Sequence, residues 1–430
     1  MGGPAPLKAP LLDAAGFYEA LMRLDPPRRL LLAVSGGADS MAMMRLCAPL
    51  RDRFEFAVAS VDHRLRAGAR AEAELAANEA RRLGFDHAIL ERTGARPQSG
   101  VQAAARAARY RLLINHACAS GAGAIVTAHN ADDQAETALM RAARRSGVRG
   151  LAAMAPASFV AADAGAAIRL LRPLLQVRRR DLRNFLTRAG APFADDPSNE
   201  DAAYERVRVR REIAQREAGG EFPVERLCEN ARAAREAAFS IETAENNRFA
   251  SLNGRFDEHG AAHLGADLGE RDAALIARVV QAVAGGDYPL SGAQALKALK
   301  TALSGCRATL GGAMVKRRGD EISIFREPAA VLGRAGAAPP AMLEIAPGQS
   351  ALWDARFIVS NRSHARLRVA PAGAGAAAGL FPDEDRDLAA GAPVLWRGGE
   401  LIGPAWEFGH STPLADERFF RRVNRFAEIT

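Results

Sequence analysis

The chain has 430 residues, 48% of them apolar, which is long enough for two or three domains that each bury a core. Its formal charge of +8 comes almost wholly from arginine, since lysine stands only at Lys8, Lys297, Lys300 and Lys316, a balance that permits a nucleic-acid partner without requiring one. Four scattered cysteines, Cys47, Cys118, Cys228 and Cys306, exclude a disulfide framework and a C-x-x-C metal site, and Pro4, Pro6, Lys8 and Asp13 argue against a leader or membrane span, so a soluble cytoplasmic protein is expected.

Apolar runs alternate with helical patterns along the first half. Strands are predicted at 30–34, 57–62, 87–90, 124–128 and 168–171, with helices at 39–50, 70–83, 101–119 and 133–145 between them. This is the pattern of βαβ units, and it predicts an α/β domain with a doubly wound parallel sheet over residues 1–218. Helical stretches at 224–251 and 271–283, then strand-like residues near 309–310 and 322–325, predict a smaller helical module over 219–327 that closes with a hairpin. A linker rich in Ala, Gly and Pro follows at 328–340. Residues 341–430 hold short strand-like runs at 357–360 and 365–369 and a low-complexity stretch at 370–378, and they predict no particular fold.

The first strand runs into Ser35-Gly36-Gly37-Ala38-Asp39-Ser40 at the start of a helix. Glycines there let the backbone approach a ligand closely, and the free amides of a helix start favour an anion. An ordinary strand-to-helix turn would use glycine too. A Walker loop is excluded because no lysine lies between Lys8 and Lys297, and the hydrolase elbow G-x-S-x-G lacks its first glycine in Ala33-Val34-Ser35-Gly36-Gly37.

A second cluster, His129-Asn130-Ala131-Asp132-Asp133-Gln134-Ala135-Glu136-Thr137, follows the strand at 124–128 and opens a helix. Asp133 and Glu136 fit a capping arrangement. That leaves His129 and Asp132 unexplained, and adjacent acids repel unless a metal or a cationic substrate lies beside them.

The six residues 35–40 resemble the pyrophosphate loop (PP-loop) of the N-type ATP pyrophosphatases. The stretch 127–150 narrows the resemblance to the tRNA(Ile)-lysidine synthases within that family. So do Val61-Asp62-His63-Arg64-Leu65-Arg66, Ala105-Arg106-Ala107-Ala108-Arg109-Tyr110, Arg172-Pro173-Leu174-Leu175 and Asp196-Pro197-Ser198-Asn199. These matches span about residues 28–212, with later ones at Arg307-Ala308-Thr309-Leu310-Gly311-Gly312 and Trp353-Asp354-Ala355-Arg356-Phe357. The chain departs from the pattern at Asn130, Arg145 and Val207, where the family often has histidine, glycine and asparagine.

The resemblance implies an enzyme that adenylates the wobble cytidine of an isoleucine tRNA with ATP, then lets the amine of free L-lysine displace AMP. It implies that Ser35, Gly36, Gly37, Ala38, Asp39 and Ser40 hold ATP, that Asp39 and Asp133 serve Mg2+, and that His129, Asp132 and Glu136 line the reacting cytidine and lysine. Arg109 would stabilise the adenylated intermediate, although a surface ion pair near Arg106 accounts for it equally well from its position alone. Arg206, Arg208, Arg210 and Arg211 form the densest basic cluster, and the resemblance implies contact with tRNA there; a solvated helix face is the alternative. Their alternation fits an extended or irregular segment better than a helix. A tRNA-thiolating relative is disfavoured because no cysteines are paired, and an amidotransferase because no nucleophilic cysteine motif is evident. A module that only binds ATP or RNA would not need the His129 to Glu136 cluster. The sequence leaves the oligomeric state open, a homodimer included.

Overall fold

A computed structural model of the chain describes residues 12–64, 68–92, 101–161, 167–195, 205–221, 223–286, 290–333, 342–407, 411–420 and 423–424. Leu65, Arg66 and the Asp196-Pro197-Ser198-Asn199 match lie outside the described residues. The chain forms two compact units, one drawn from Met1–Ser158 and Ile168–Phe239, the other from Phe159–Ala167 and Ser240–Ile429.

In the first unit Asp13 caps α1 (Ala14–Met22), its carboxylate accepting from the Gly16 amide at 2.8 Å. Leu30, Leu31 and Leu32 are fully buried in β1 (Arg29–Ala33), as a strand covered on both faces requires. The chain continues through α2 (Ala38–Cys47), β2 (Glu55–Asp62), α3 (Gly68–Arg82), β3 (Asp86–Glu91), α4 (Val101–Ala119), β4 (Ala124–Val126) and α5 (Ala131–Ala143). After these come α6 (Val148–Leu151), β6 (Ala167–Leu171), α7 (Arg179–Arg188) and α8 (Glu205–Ala218), with β5 (Ala157–Ala161), assigned from Phe159 to the other unit, between α6 and β6 in the chain. The sheet order β6-β4-β1-β2-β3 is parallel throughout, so the expected doubly wound α/β fold is present.

Chain order reverses at β1, which has β2 on one side and β4 on the other. Such a switch point opens a crevice beyond the carboxyl ends of the two strands, where α/β folds take their ligands. Both sequence clusters begin there. The helix expected at 133–145 starts two residues earlier, and the strand β5 was not foreseen.

The division between the units falls inside α9 (Pro223–Ser251). The second unit carries β7 (Arg255–Phe256), β8 (Ala262–Gly265), α10 (Ala273–Ala284), α11 (Gly292–Leu303), β9 (Ala308–Leu310), β10 (Ala313–Arg318) and β11 (Glu321–Arg326). The hairpin expected from the sequence is part of a five-stranded antiparallel sheet, β7-β8-β11-β10-β9, against which α10 and α11 bury Ile276, Val279, Val280, Val283 and Leu299. Two smaller antiparallel sheets follow, of four and three strands, and the low-complexity stretch 370–378 enters the helix Gly373–Leu380. No helix among the described residues is long and apolar enough to cross a membrane.

Candidate active site at the switch point of the sheet

The loop after β1 is shaped by its own hydroxyls. Buried Ser40 donates from Oγ to the Gly37 carbonyl at 2.9 Å and accepts from the Ser35 amide at 3.1 Å. Gly36 has φ +88°, and a Cβ there would lie 2.6 Å from the Glu72 carbonyl oxygen, so both conformation and space demand glycine. Gly37 is the N-cap of α2 without a side-chain cap, which leaves the first amides of that helix to a ligand.

Asp39 sits in the first turn of α2. Its Oδ2 accepts from Asn130 Nδ2 at 2.9 Å and lies 3.5 Å from Arg179 Nε, while its buried Oδ1 has no hydrogen-bond partner among the described residues. Burial pushes its carboxyl up to about 6, against the lowering pull of Arg179, and Asp133 and Asp132 add to the rise. An orphaned, poorly solvated carboxylate oxygen in the first turn of a helix whose amides lack a side-chain cap fits a cation carried in with a polyphosphate.

Asn130 caps α5. Its Oδ1 accepts from the Asp133 amide at 3.0 Å, and Asp133 Oδ2 accepts from the Asn130 amide at 3.1 Å. The capping box therefore lies one turn earlier than the Asp133–Glu136 arrangement expected from the sequence. That displaced box releases Glu136 for another task.

The task is ion pairing. Glu136, 1% exposed, accepts from Arg179 at 3.1 Å, Arg206 at 2.6 Å and Arg210 at 2.9 Å. Asp133 Oδ1 accepts from Arg179 at 2.7 Å and Arg206 at 3.1 Å. Asp132 accepts from the Arg179 amide at 2.7 Å and from Arg178 at 3.1 Å. Arginines of α7 and α8 thus bring positive charge to the adjacent acids. Both oxygens of Asp133 are engaged, which sets it apart from Asp39.

The basic cluster is helical, correcting the expectation of an extended segment. Arg206 and Arg210 are four residues apart in α8 and so share the face that meets Glu136, whereas Arg208 points elsewhere and is exposed. Ile213 of α8 and Val224 of α9 pack with Ala131 and Ala135 of α5, and this apolar contact holds the arginines in place. A recess lined by Asp132, Glu136, Arg179 and Arg210 opens beside them.

His129 follows β4, its Nδ1 2.8 Å from the Thr127 hydroxyl. Desolvation holds its imidazole well below the usual range, and Arg172, Arg106, Arg206 and Arg109 push the same way, so the ring is neutral at pH 7. Arg109 belongs with His129 and lies over the Tyr110 ring at 5.5 Å. Arg106, Asn130, Arg172, Arg178 and Arg179 escaped the sequence reading as site residues. The run Arg178-Arg179-Arg180 was visible, but nothing local tied it to acids more than 40 residues away.

The family model of the PP-loop domain matches residues 13–217. The tRNA(Ile)-lysidine synthase of Ruegeria pomeroyi is 35% identical over 407 residues, 91% of each chain. That of Brucella suis biovar 1 is 34% identical over 399 residues, covering 87% of this chain and 85% of its own. The chain belongs to the tRNA(Ile)-lysidine synthase family. Among solved structures, the U34-tRNA thiolase NcsA of Methanococcus maripaludis covers 52% of this chain and 78% of its own at 14% identity, with a TM-score of 0.44. Membership in the lysidine synthase family makes the chain a PP-loop enzyme that uses ATP, and the matched residues 13–217 include the loop after β1.

Proposed function

We propose that this chain joins L-lysine to the wobble cytidine of the CAU-anticodon isoleucine tRNA. The cytosine carbonyl oxygen attacks the α-phosphorus of ATP and pyrophosphate leaves; the lysine ε-amine then attacks the same ring carbon, AMP departs with the oxygen, and the amine loses a proton. The observation that carries this reading is the hydrogen bond from Asn130 to Asp39, which joins the phosphate loop to the acid-rich start of α5 in one site.

In this reading Ser35, Gly36, Gly37 and the α2 amides hold the polyphosphate, and Ser40 keeps the loop in shape. Asp39 Oδ1 would hold Mg2+, which supplies charge neutralisation at the departing pyrophosphate. Asp133 orients Asn130 and Arg179. Neutral His129 lines the reacting cytidine, and Asp132 and Glu136 offer carboxylates to the lysine ammonium where Arg178, Arg179, Arg206 and Arg210 now pair with them; Asp132 takes the ammonium proton that frees the amine to attack, and the proton lost after attack leaves with solvent. Arg109 steadies the adenylated cytidine. Catalysis resides in residues 1–218, while Arg208 of α8 and the module 219–327 grip the tRNA.

The test follows pyrophosphate with each substrate omitted in turn. ATP and cognate tRNA alone are expected to release it, lysine being needed only to discharge the intermediate. Release from ATP and lysine without tRNA, or equal release with uridine at the wobble position, rules the reading out.

A further inference from the structure

Two sets of arginines lie at this site, one on the acid cluster and one bearing on His129, and they differ in their counter-charges. Arg178, Arg179, Arg206 and Arg210 are each ion-paired with carboxylates. Among the described residues Arg106, Arg109 and Arg172 have no carboxylate within ion-pair distance. Nε and Nη2 of Arg106 and Nε of Arg172 are buried without hydrogen-bond partners. Leaving a desolvated cation unpaired is costly, and such donors are ordinarily satisfied.

The arrangement is also preformed. The Thr127 amide donates to the Leu171 carbonyl at 2.9 Å, so His129 and Arg172 stand just past the carboxyl ends of the neighbouring strands β4 and β6. Arg172 Nη1 is anchored to the Ala155 carbonyl at 2.8 Å and the Ser158 hydroxyl at 3.1 Å, which fixes the guanidinium while its buried Nε finds no partner among the described residues. Arg106 and Arg109, three residues apart on α4, both lie against the buried Tyr110 ring, at 5.4 and 5.5 Å. Burial, together with Arg109, Arg206 and Arg172, draws Arg106 down to about 10, so it still carries its charge at pH 7. Guanidinium donors that no described acid satisfies match the oxygens of a phosphate.

We infer that Arg106, Arg109 and Arg172 form a receptor for one phosphate group, separate from the pyrophosphate loop. This goes beyond the reading above, which uses Arg109 alone, and rests on it only for the two sources of phosphate: the α-phosphate of the nucleotide, or the phosphodiester beside the reacting cytidine. Arg206 stands between this receptor and the acid cluster, since it pairs with Glu136 and also bears electrostatically on Arg106.

The experiment compares the full-length wild type with Arg106→Gln by thermal unfolding in inorganic phosphate and in chloride of equal ionic strength. It adds binding of AMP and of an anticodon stem-loop RNA to both. In chloride the variant is expected to melt no lower than the wild type, because an unpaired buried charge is gone. Its affinity for phosphate is expected to fall about tenfold or more, the scale of a charged hydrogen bond. A matching loss for AMP assigns the nucleotide as the source. A matching loss for the RNA, with a salt slope about one unit shallower, assigns the tRNA backbone, and losses in both support the receptor for both. Unchanged phosphate affinity, AMP and RNA binding both intact, or a variant that melts lower in chloride overturns the inference. Should the glutamine variant not fold, Arg106→Lys keeps the charge and removes the two-pronged donor, and the same titration decides. Phosphate binding needs neither tRNA nor lysine, so its failure is distinct from a wild type that makes no lysidine.

Discussion

Asn130 donates from Nδ2 to Asp39 Oδ2 at 2.9 Å across 91 residues of chain, while its Oδ1 caps the helix that carries Asp132, Asp133 and Glu136. One side chain thereby sets the distance between the phosphate loop and the acid cluster. Asn130→Ala removes the cap, at a cost of about 1 kcal/mol, and also leaves Asp39 without its orienting donor. Urea unfolding should register the first effect, and pyrophosphate release should fall by about tenfold or more from the second. A stability loss with full turnover would show that Asn130 only caps.

Asp39→Asn should separate activity from stability. The folded carboxyl titrates at about 6 against an ordinary 3.8, so the folded protein holds the proton more tightly than the unfolded chain. Ionisation therefore costs stability as pH rises from about 4 to about 6, and the full cost, about 3 kcal/mol, persists above that. The amide escapes this cost, so the variant is expected to be more stable than the wild type at pH 7 and no more stable at pH 4. Its turnover should drop at least about a hundredfold, the scale of one key electrostatic group. Near wild-type turnover would remove the loop from the mechanism.

Gly36→Ala forces a Cβ toward the Glu72 carbonyl at a positive φ. A loss of about 1–3 kcal/mol is expected on melting, with weakened ATP binding by calorimetry, since the loop must shift. Gly190, also at positive φ but with nothing near its Cβ, provides the comparison: Gly190→Ala should cost less and leave ATP binding unchanged.

The arginines of α8 should divide by face. Exposed Arg208, replaced by Ala, is expected to flatten the salt dependence of tRNA binding by about one unit of slope with little change in melting. Arg206→Ala strips one of three arginine partners from a carboxylate that is 1% exposed and leaves Arg179 and Arg210, so it should lower stability by about 1–3 kcal/mol, the scale of one charged hydrogen bond to a buried group. An Arg206 variant that melts like the wild type would mean that Glu136 is not held as described.

Some features were legible because their causes are local. The apolar run Leu30 to Leu32 needs two covered faces wherever it sits, and the glycine loop reads as a close backbone approach from six consecutive residues. The helices of the first half follow from periodicity, apart from their ends, which depend on caps: Asn130 rather than Asp133 starts α5 because its short amide reaches the free amide one turn on. The five-stranded sheet of the second unit was hidden because β7 has two residues and β8 four, too few for a period to register.

The sequence alone determined the parallel α/β core, the phosphate loop at its first strand and the two polar clusters at strand ends, since each depends on residues within one or two turns of one another. Tertiary structure decided which charges meet. Arg179 and Arg206 reach the Asp133–Glu136 pair from 43 to 73 residues away, and Arg106, Arg109 and Arg172 meet no acid among the described residues, through the packing of α4, α7 and α8 around the strand ends. An arginine's partner is set by where its helix lands, and the landing is chosen by apolar contacts such as Ala135 with Ile213, which carry no mark of the charges they bring together.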